Sequence, residues 1–340
     1  MRGGISLAPV ELSPANHLVL VAKHLLAEGN WLNAISRTEG SECHPRVRAM
    51  VKTVGVSSDP NYGGALADWK TASDAWFPNL QPKSVFFSAL GNGIRLVPLG
   101  QRMGAAGVSV TAGIIGEGQT IPVSDLTLAG STLGIIKAVA QIVMSKEVAR
   151  LETPAAQAFV DQALQDGVAA AVDEKFFSVA MAGAPSFASQ GSGSGDISED
   201  LRNLLDSVNT TGAGRLLMSA APNVGNALAI MDQSGRMSPG GGAFKGIETL
   251  VSPNQAGGTL RLFNTAGFAG AVDPVQLAVS EQADVDLRNT PDSPPSSATV
   301  LTSLFQHGLA AIKCTVPFGI QKIRSDAAAE LTGVAWGHSP

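Results

Sequence analysis

The chain has 340 residues, of which 44% are hydrophobic and 15% charged, and its formal net charge is -5 at pH 7. A chain of this length can build a sizeable core, and so low a charge leaves apolar surface for partners to cover, so oligomerisation is the economical expectation. The acidic balance, without a basic stripe interleaved with aromatics, argues against sequence-reading nucleic-acid binding through many phosphate contacts and leaves room only for loose contact.

Cys43 and Cys314 are too few for a disulfide framework and match no zinc spacing, so the cytoplasm is the default compartment. Near the N-terminus, Ser13 and Pro14 read as a cap and first helical position, and "ANHLVLVAKHLLAEG" runs as a helix to a stop at Gly29. The apolar run at 18–22 is broken by Lys23 and His24, which makes it too short and polar for a membrane span, and no cleavage signature follows it. The rest of the first 75 or so residues has turn residues and scattered aromatics but no sustained period, as in an arm that needs a surface to lie on.

From Val108 the pattern alternates. Val108, Val110, Ala112 and Ile114 interleave with Ser109, Thr111 and Gly113, and Leu126 and Leu128 interleave with Asp125, Thr127 and Ala129. Two runs of period two around Gly116, Gly118 and Pro122 predict a long hairpin, with Gly130 and Gly134 loosening its return arm. Glu117, flanked by glycines, has the setting of an exposed ion-pair partner for another subunit.

Thr153 and Pro154 open the longest helix, whose stripe of Val160, Leu164, Val168, Val172, Phe176 and Val179 ends near Gly183. Gly167 in its middle costs about 1 kcal/mol relative to Ala and marks either close packing or a bend. "GAPSFASQGSGSGD" reads as a flexible connector. Beyond it, "ISEDLRNLLDSV" and "APNVGNALAIMDQSG" read as helices, and "GRLLMSA", "TLRLFNTAG", "VQLAVSEQADVDL" and "LAAIKCTVPFGIQKI" as strands, with a Pro-rich loop at 288–299.

No chemistry-bearing constellation stands out. "GSGSG" at 191–195, "GNG" at 91–93 and "GGGAFKG" at 240–246 each lack a required residue of the phosphate-binding loops and read as turns or linkers. His17 and His24 share a helix face with no third ligand, and Cys43 beside His44 is poorly placed to share one ion. Asp173 and Glu174 are adjacent on a helix, pointing about 100° apart, and read as a solvated or salt-bridged face rather than an acid and base pair. No catalytic, cofactor-binding or metal-binding residue is assigned, and the chain is expected to work through its surfaces rather than as an enzyme.

The order of the pieces resembles the major capsid proteins of tailed bacteriophages, which share the fold named after phage Hong Kong 97. "GIIGEGQTIPVSDLTL" looks like the family's extended-loop signature, "IIKAVAQIVMSKEVARLETP" is similar to the strand returning from that loop, and "VDEKFF" resembles the finish of the spine helix. "LLMSAAPNVGNALAIMDQSGR", "LAVSEQADVDL", "SLFQHGLAAIKC" and "AAAELTGVAW" match later segments in the family's order, so the resemblance covers residues from about 80 to 336.

The resemblance implies an α+β, Hong Kong 97-type capsid fold. It comprises an N-terminal arm and lead-in strand at 1–103, an extended β-hairpin loop at 104–136, a peripheral domain at 137–195 and 273–316, and an axial domain at 196–272 and 317–340. The spine helix falls at about 154–182. It further implies self-assembly into hexamers and pentamers of a virion shell around double-stranded DNA, assembled in the host cytoplasm. The expected partners are a portal protein, possible separate scaffolding, protease or decoration proteins, and the packaged DNA through weak non-specific contact, with no membrane.

Glu117, Ile121, Pro122, Pro291 and Pro294 are the expected intersubunit contacts, and Gly130, Gly134 and Gly167 the expected hinges. Some members carry a charged scaffolding region of about a hundred residues before the shell domain. The 75 residues here imply a separate scaffold, none, or a processed chain, and Met1 favours no processing. Residues 108–136 contain no Lys, which speaks against the lysine–asparagine cross-link that some members form. A cellular nanocompartment shell (encapsulin-like) and an enzyme on a Gly-rich α/β fold are the alternatives.

Overall fold

The structure is a computed structural model that describes residues 76–100, 102–106, 128–150, 154–210, 212, 214–288, 290–292 and 296–336. The expected arm helix at 14–29 and the hairpin runs from Val108 to Thr127 lie outside the described residues. In chain order the elements begin with helix α1 (Val85–Gly91), strands β1 (Arg95–Leu96), β2 (Arg102–Ala106), β3 (Leu128–Thr132) and β4 (Ile136–Ser145), and helices α2 (Lys146–Arg150) and α3 (Pro154–Met181). Then follow β5 (Ser186–Ala188), α4 (Ser194–Val208), β6 (Leu216–Ala220), α5 (Pro222–Met231), β7 (Met237–Ser238), β8 (Gly241–Phe244) and β9 (Ile247–Val251). The chain closes with β10 (Leu260–Asn264), β11 (Phe268–Val272), β12 (Gln276–Ser280), β13 (Asp284–Val285), β14 (Thr302–Ser303), β15 (Leu309–Lys322) and β16 (Ala328–Thr332).

These elements form two compact units. One is Met1–Leu80, Val139–Val168 and Pro274–Val316, and the other is Gln81–Ala138, Ala169–Asp273 and Pro317–Pro340. Helix α3, 28 residues long, and strand β15 contribute to both.

In the first unit, β12 pairs antiparallel with β15 from Gln276↔Thr315 to Ser280↔Ala311. Ile312, Cys314 and Val316 of β15 are buried, as are Val160, Leu164 and Val168, the expected stripe of α3. A Cβ on Gly167 would lie 3.2 Å from the Ala140 Cβ, so close packing is one reason for a glycine there. The single strand expected at "VQLAVSEQADVDL" is two: the chain breaks after Ser280, whose hydroxyl accepts from the Gln282 backbone N–H, and resumes as β13.

The second unit is built on a seven-stranded sheet in the order β5-β16-β10-β6-β9-β8-β7. Strand alternation sorts its side chains: Met218, Ala220, Leu260 and Leu262 pack with Leu204 and Val208 of α4 and Val224 and Leu228 of α5. Their neighbour Phe263 points the other way, into a cluster with Phe176, Phe177 and Phe268, whose rings lie 5.0 to 6.4 Å from it. Phe86 of α1 and Phe318 of β15 extend that cluster. Strands β7 to β9, β11 and β16 carry no clear alternation in sequence, since "RMSPGGGAFKGIETLV" is dominated by glycine and turn residues.

The flexible connector expected at 183–196 is instead ordered. Residues 186–188 form β5, parallel to β16, and α4 begins at Ser194. The reason is two carboxylates: Asp200 accepts the Ser189 hydroxyl at 2.7 Å and the Gln190 N–H at 3.0 Å, and Asp196 accepts the Gly193 N–H at the start of α4. The "GGGAFKG" stretch is likewise a strand, β8, followed by a two-residue Lys245-Gly246 turn into β9.

Candidate assembly surfaces

Buried carboxylates on α3 hold each unit's entering segment. In the first unit Asp161 accepts the Trp76 indole N–H and a Gln165 amide N–H, each at 2.9 Å. In the second unit Asp173 accepts the Ser84 hydroxyl at 2.6 Å and the backbone N–H groups of Val85 and Phe86 at 3.2 Å, filling the open donors at the start of α1. The expectation of a solvated Asp173 is therefore corrected. It is fully buried, and burial pushes its carboxyl up to about 6 against the opposing bonds from Ser84, Phe86, Val85 and Asn254. Its polarity in the sequence concealed this role, and the one signal was its place three residues before Phe176, on the face of the helix that carries apolar groups. Glu174 beside it is exposed.

The base of the expected hairpin is present. β2 and β3 pair antiparallel from Arg102↔Thr132 to Ala106↔Leu128, with Gly104 opposite Gly130. Gly134 follows, in the irregular step between β3 and β4. That step is clamped: the Gly100 N–H donates to the Leu133 carbonyl at 3.1 Å, and a Cβ on Gly319 of β15 would lie 2.8 Å from Leu133 and 2.9 Å from the Gly134 carbonyl oxygen. Glu117, Ile121 and Pro122 lie outside the described residues.

In the first unit the Pro-rich loop is held by charge. The Arg288 guanidinium reaches Asp286 and Asp292 at 2.6 Å each, and the Thr299 hydroxyl donates to Asp292 at 2.8 Å. The Arg288 bonds hold the Asp286 carboxyl down to about 2. Pro291 is exposed on this loop and Pro294 lies outside the described residues. Beside it Val300, Leu301 and Phe305 are exposed, Phe305 at 67%, and Lys146 lies 5.6 Å from the Phe305 ring while pairing with Glu281 at 2.9 Å.

The second unit carries a cavity of about 410 Å³ between α4 and the β8–β9 hairpin, with Met218, Phe244 and Leu262 lining it and Arg202 and Lys245 among its polar groups. Among the described residues no group of three or more His, Cys, Asp or Glu is arranged to hold a metal ion. Among the same residues no helix is long and apolar enough to cross a membrane. His307 is exposed and its Nδ1 lies 3.0 Å from the Ser303 carbonyl oxygen.

No family model matches the chain. It is 28% identical over 316 residues to a protein of Pseudomonas phage PAJU2 named capsid polyprotein, covering 83% of this chain and 47% of that protein, so the chain spans about half the length of that relative. Its structure is similar to a chain of Gordonia phage Cozz, with a TM-score of 0.50 at 16% identity over 74% of this chain and 86% of that one. A chain of Microbacterium phage Oxtober96 gives a TM-score of 0.49 at 13% identity over 74% and 91%. With the long α3, the hairpin base and two units threaded by the same helix and strand, the chain has the α+β capsid fold of Hong Kong 97 type.

Proposed function

We propose that this chain is the major capsid protein of a tailed phage, a subunit that assembles into hexamers and pentamers of an icosahedral head enclosing double-stranded DNA. The observation that carries the reading is the likeness to a phage capsid polyprotein over 83% of the chain, joined to a capsid-type fold. The exposed apolar groups around Phe305 and the hairpin base support it, because rings of five and six need head-to-tail contacts between different patches of one chain.

In this reading residues 137–195 and 273–316 form the peripheral domain and residues 196–272 and 317–340 the axial domain. The hairpin that starts from β2 and β3 reaches over a neighbour, with Glu117, Ile121 and Pro122 in its contact, and the Pro-rich loop with Pro291 and Pro294 meets adjoining rings. Gly130, Gly134 and Gly167 are the points where the subunit bends to fit rings of different size. The acidic balance fits a lining along which DNA slides, since a strongly basic wall would hold phosphates tightly. The partners of the reading are further copies of the chain, a portal protein, and scaffolding, protease or decoration proteins where the phage has them. The location is the virion, after assembly in the host cytoplasm.

Negative-stain microscopy of the purified chain tests this. Closed particles, with DNA in those recovered from infected cells, are expected. Particles that hold an enzyme and no DNA would instead establish a nanocompartment, and species no larger than a dimer would end the shell reading.

A further inference from the structure

A cleft of about 460 Å³ lies in the second unit, between α1 and β9. Its size falls within the range of about 300–1,000 Å³ usual for small-molecule sites. Strand alternation sets Glu248 and Leu250 on one face of β9, toward the cleft, and Thr249 on the other, where it is buried. The remaining wall comes from the end of α1, at Ser88, Gly91 and Asn92, and from Gln81 and Pro82 in the turn before that helix. A Cβ on Gly91 would lie 3.0 Å from the Gln81 Nε2, so the glycine leaves room for that amide to lie across the helix end.

Among the described residues the cleft is lined by one charged group, the anion Glu248, and by no Lys, Arg or His. Glu248 is exposed and forms no ion pair with them. The Ser88 hydroxyl reaches its Oε1 at 3.5 Å, the outer limit of a hydrogen bond, which leaves Oε2 open. Ser88 is itself buried and accepts the Asn92 amide N–H at 3.3 Å. The Asn92 Oδ1 and the Gln81 Oε1 have no partner among the described residues and stand as further acceptors. The last turn of α1 adds the partial negative charge of a helix C-terminus.

We infer that this cleft binds a primary ammonium group on an aliphatic stem, with the ammonium against Glu248 and Asn92 and the methylenes along Leu250 and Pro82. An ammonium is all donor, and the open groups here are acceptors. The two apolar residues suit the stem, as apolar surface suits the methylenes of a lysine. One carboxylate among neutral groups is a poor set for a divalent metal ion, which takes several oxygen ligands. A free polyamine and a lysine side chain both carry the required group. The inference goes beyond shell assembly and does not rest on it, because binding is read on the chain itself.

The test is titration calorimetry of the full chain with putrescine and with Nα-acetyl-lysine amide, at low ionic strength, where an exposed ion pair is least screened. Saturable binding at one site per chain is expected for at least one probe. The tighter probe identifies the source: putrescine a free polyamine, acetyl-lysine amide a protein lysine. Glu248→Gln keeps the shape and removes the charge, and is expected to weaken binding about tenfold. No saturable heat with either probe overturns the inference, and so does an affinity that Glu248→Gln leaves unchanged.

If Glu248→Gln fails to fold, Gln81→Glu decides. Gln81 is exposed, and a second carboxylate at the cleft is expected to tighten binding severalfold. An unchanged affinity in that chain overturns the inference. Many weak sites per chain, indifferent to both substitutions, would overturn it as well, as general attraction of cations to a chain of net charge -5.

Discussion

The Asp173 carboxylate accepts the Ser84 hydroxyl at 2.6 Å, joining positions 89 residues apart. One buried acid on the long helix therefore fixes where α1 starts, and α1 in turn places Phe86 in the aromatic cluster with Phe176 and Phe318. The donors Asp173 satisfies are buried with it, so removing the acceptor leaves them unpaired. Asp173→Ala is expected to destabilise the unassembled subunit by about 3 kcal/mol, read as a shift in urea midpoint. Ser84→Ala removes one of the bonds and is expected to cost about 1 kcal/mol.

The same carboxyl sets a pH dependence. Its folded value of about 6 lies above the ordinary 3.8, so the folded state binds this proton more tightly than the unfolded state. Its contribution to stability is full below about pH 4, declines as pH rises toward 6, and is constant above that. The gap corresponds to about 3 kcal/mol. Urea unfolding of the subunit at pH 4.5 and pH 7 is expected to show about 2 kcal/mol of this loss, and Asp173→Asn, which has no proton to bind in this range, is expected to remove most of the slope. A native slope that survives in Asp173→Asn would place the titration elsewhere.

Gly319 packs beneath the step between β3 and β4. A Cβ there would meet Leu99 at 2.6 Å, Leu133 at 2.8 Å and the Gly134 carbonyl oxygen at 2.9 Å, and the backbone oxygen has nowhere to go. Gly319→Ala is expected to destabilise by about 2 kcal/mol and to expose the hairpin base to proteases. An unchanged thermal midpoint would show that β15 shifts freely.

Cys314 is buried, and burial, with the charge of Asp161 added, pushes its thiol up to about 12. Little thiolate forms at pH 8, so a Cys43→Ser chain is expected to stay unlabelled by iodoacetamide over hours and to label quickly in urea. Rapid labelling of the folded chain would mean that the first unit opens readily.

Deletion of residues 113–124 is expected to leave both units folded by circular dichroism and to abolish closed particles. Normal shells from that chain would refute the intersubunit role of the hairpin.

Much of this architecture was legible along the chain. Pro154 opens α3 as expected, with Thr153 outside the described residues, the stripe at Val160, Leu164, Val168, Val172 and Phe176 is buried, and β6, α5, β10 and β15 fall where runs of the right period stand. Local signals suffice where an element declares its own ends and one face. The assembly residues were less legible. Pro291, expected as an intersubunit contact, is exposed as a loop residue should be, while the cavity between α4 and the β8–β9 hairpin had no signal, because it combines residues from segments some forty positions apart.

By itself, then, the sequence determined the long helix and the strands and helices with a clear period, because these depend on periodicity and turn chemistry within short windows, and the order of its motifs carried the resemblance that implied the fold class. Tertiary structure alone decided that Asp173 is an interior anchor and not a solvated charge, and that the glycine- and serine-rich stretch before α4 is ordered. It also decided that β5 joins β16 across more than a hundred residues. The physical reason is the same in each case. A carboxylate, a glycine or a short strand takes its role from the donors and neighbours it meets, and those are supplied by distant parts of the chain.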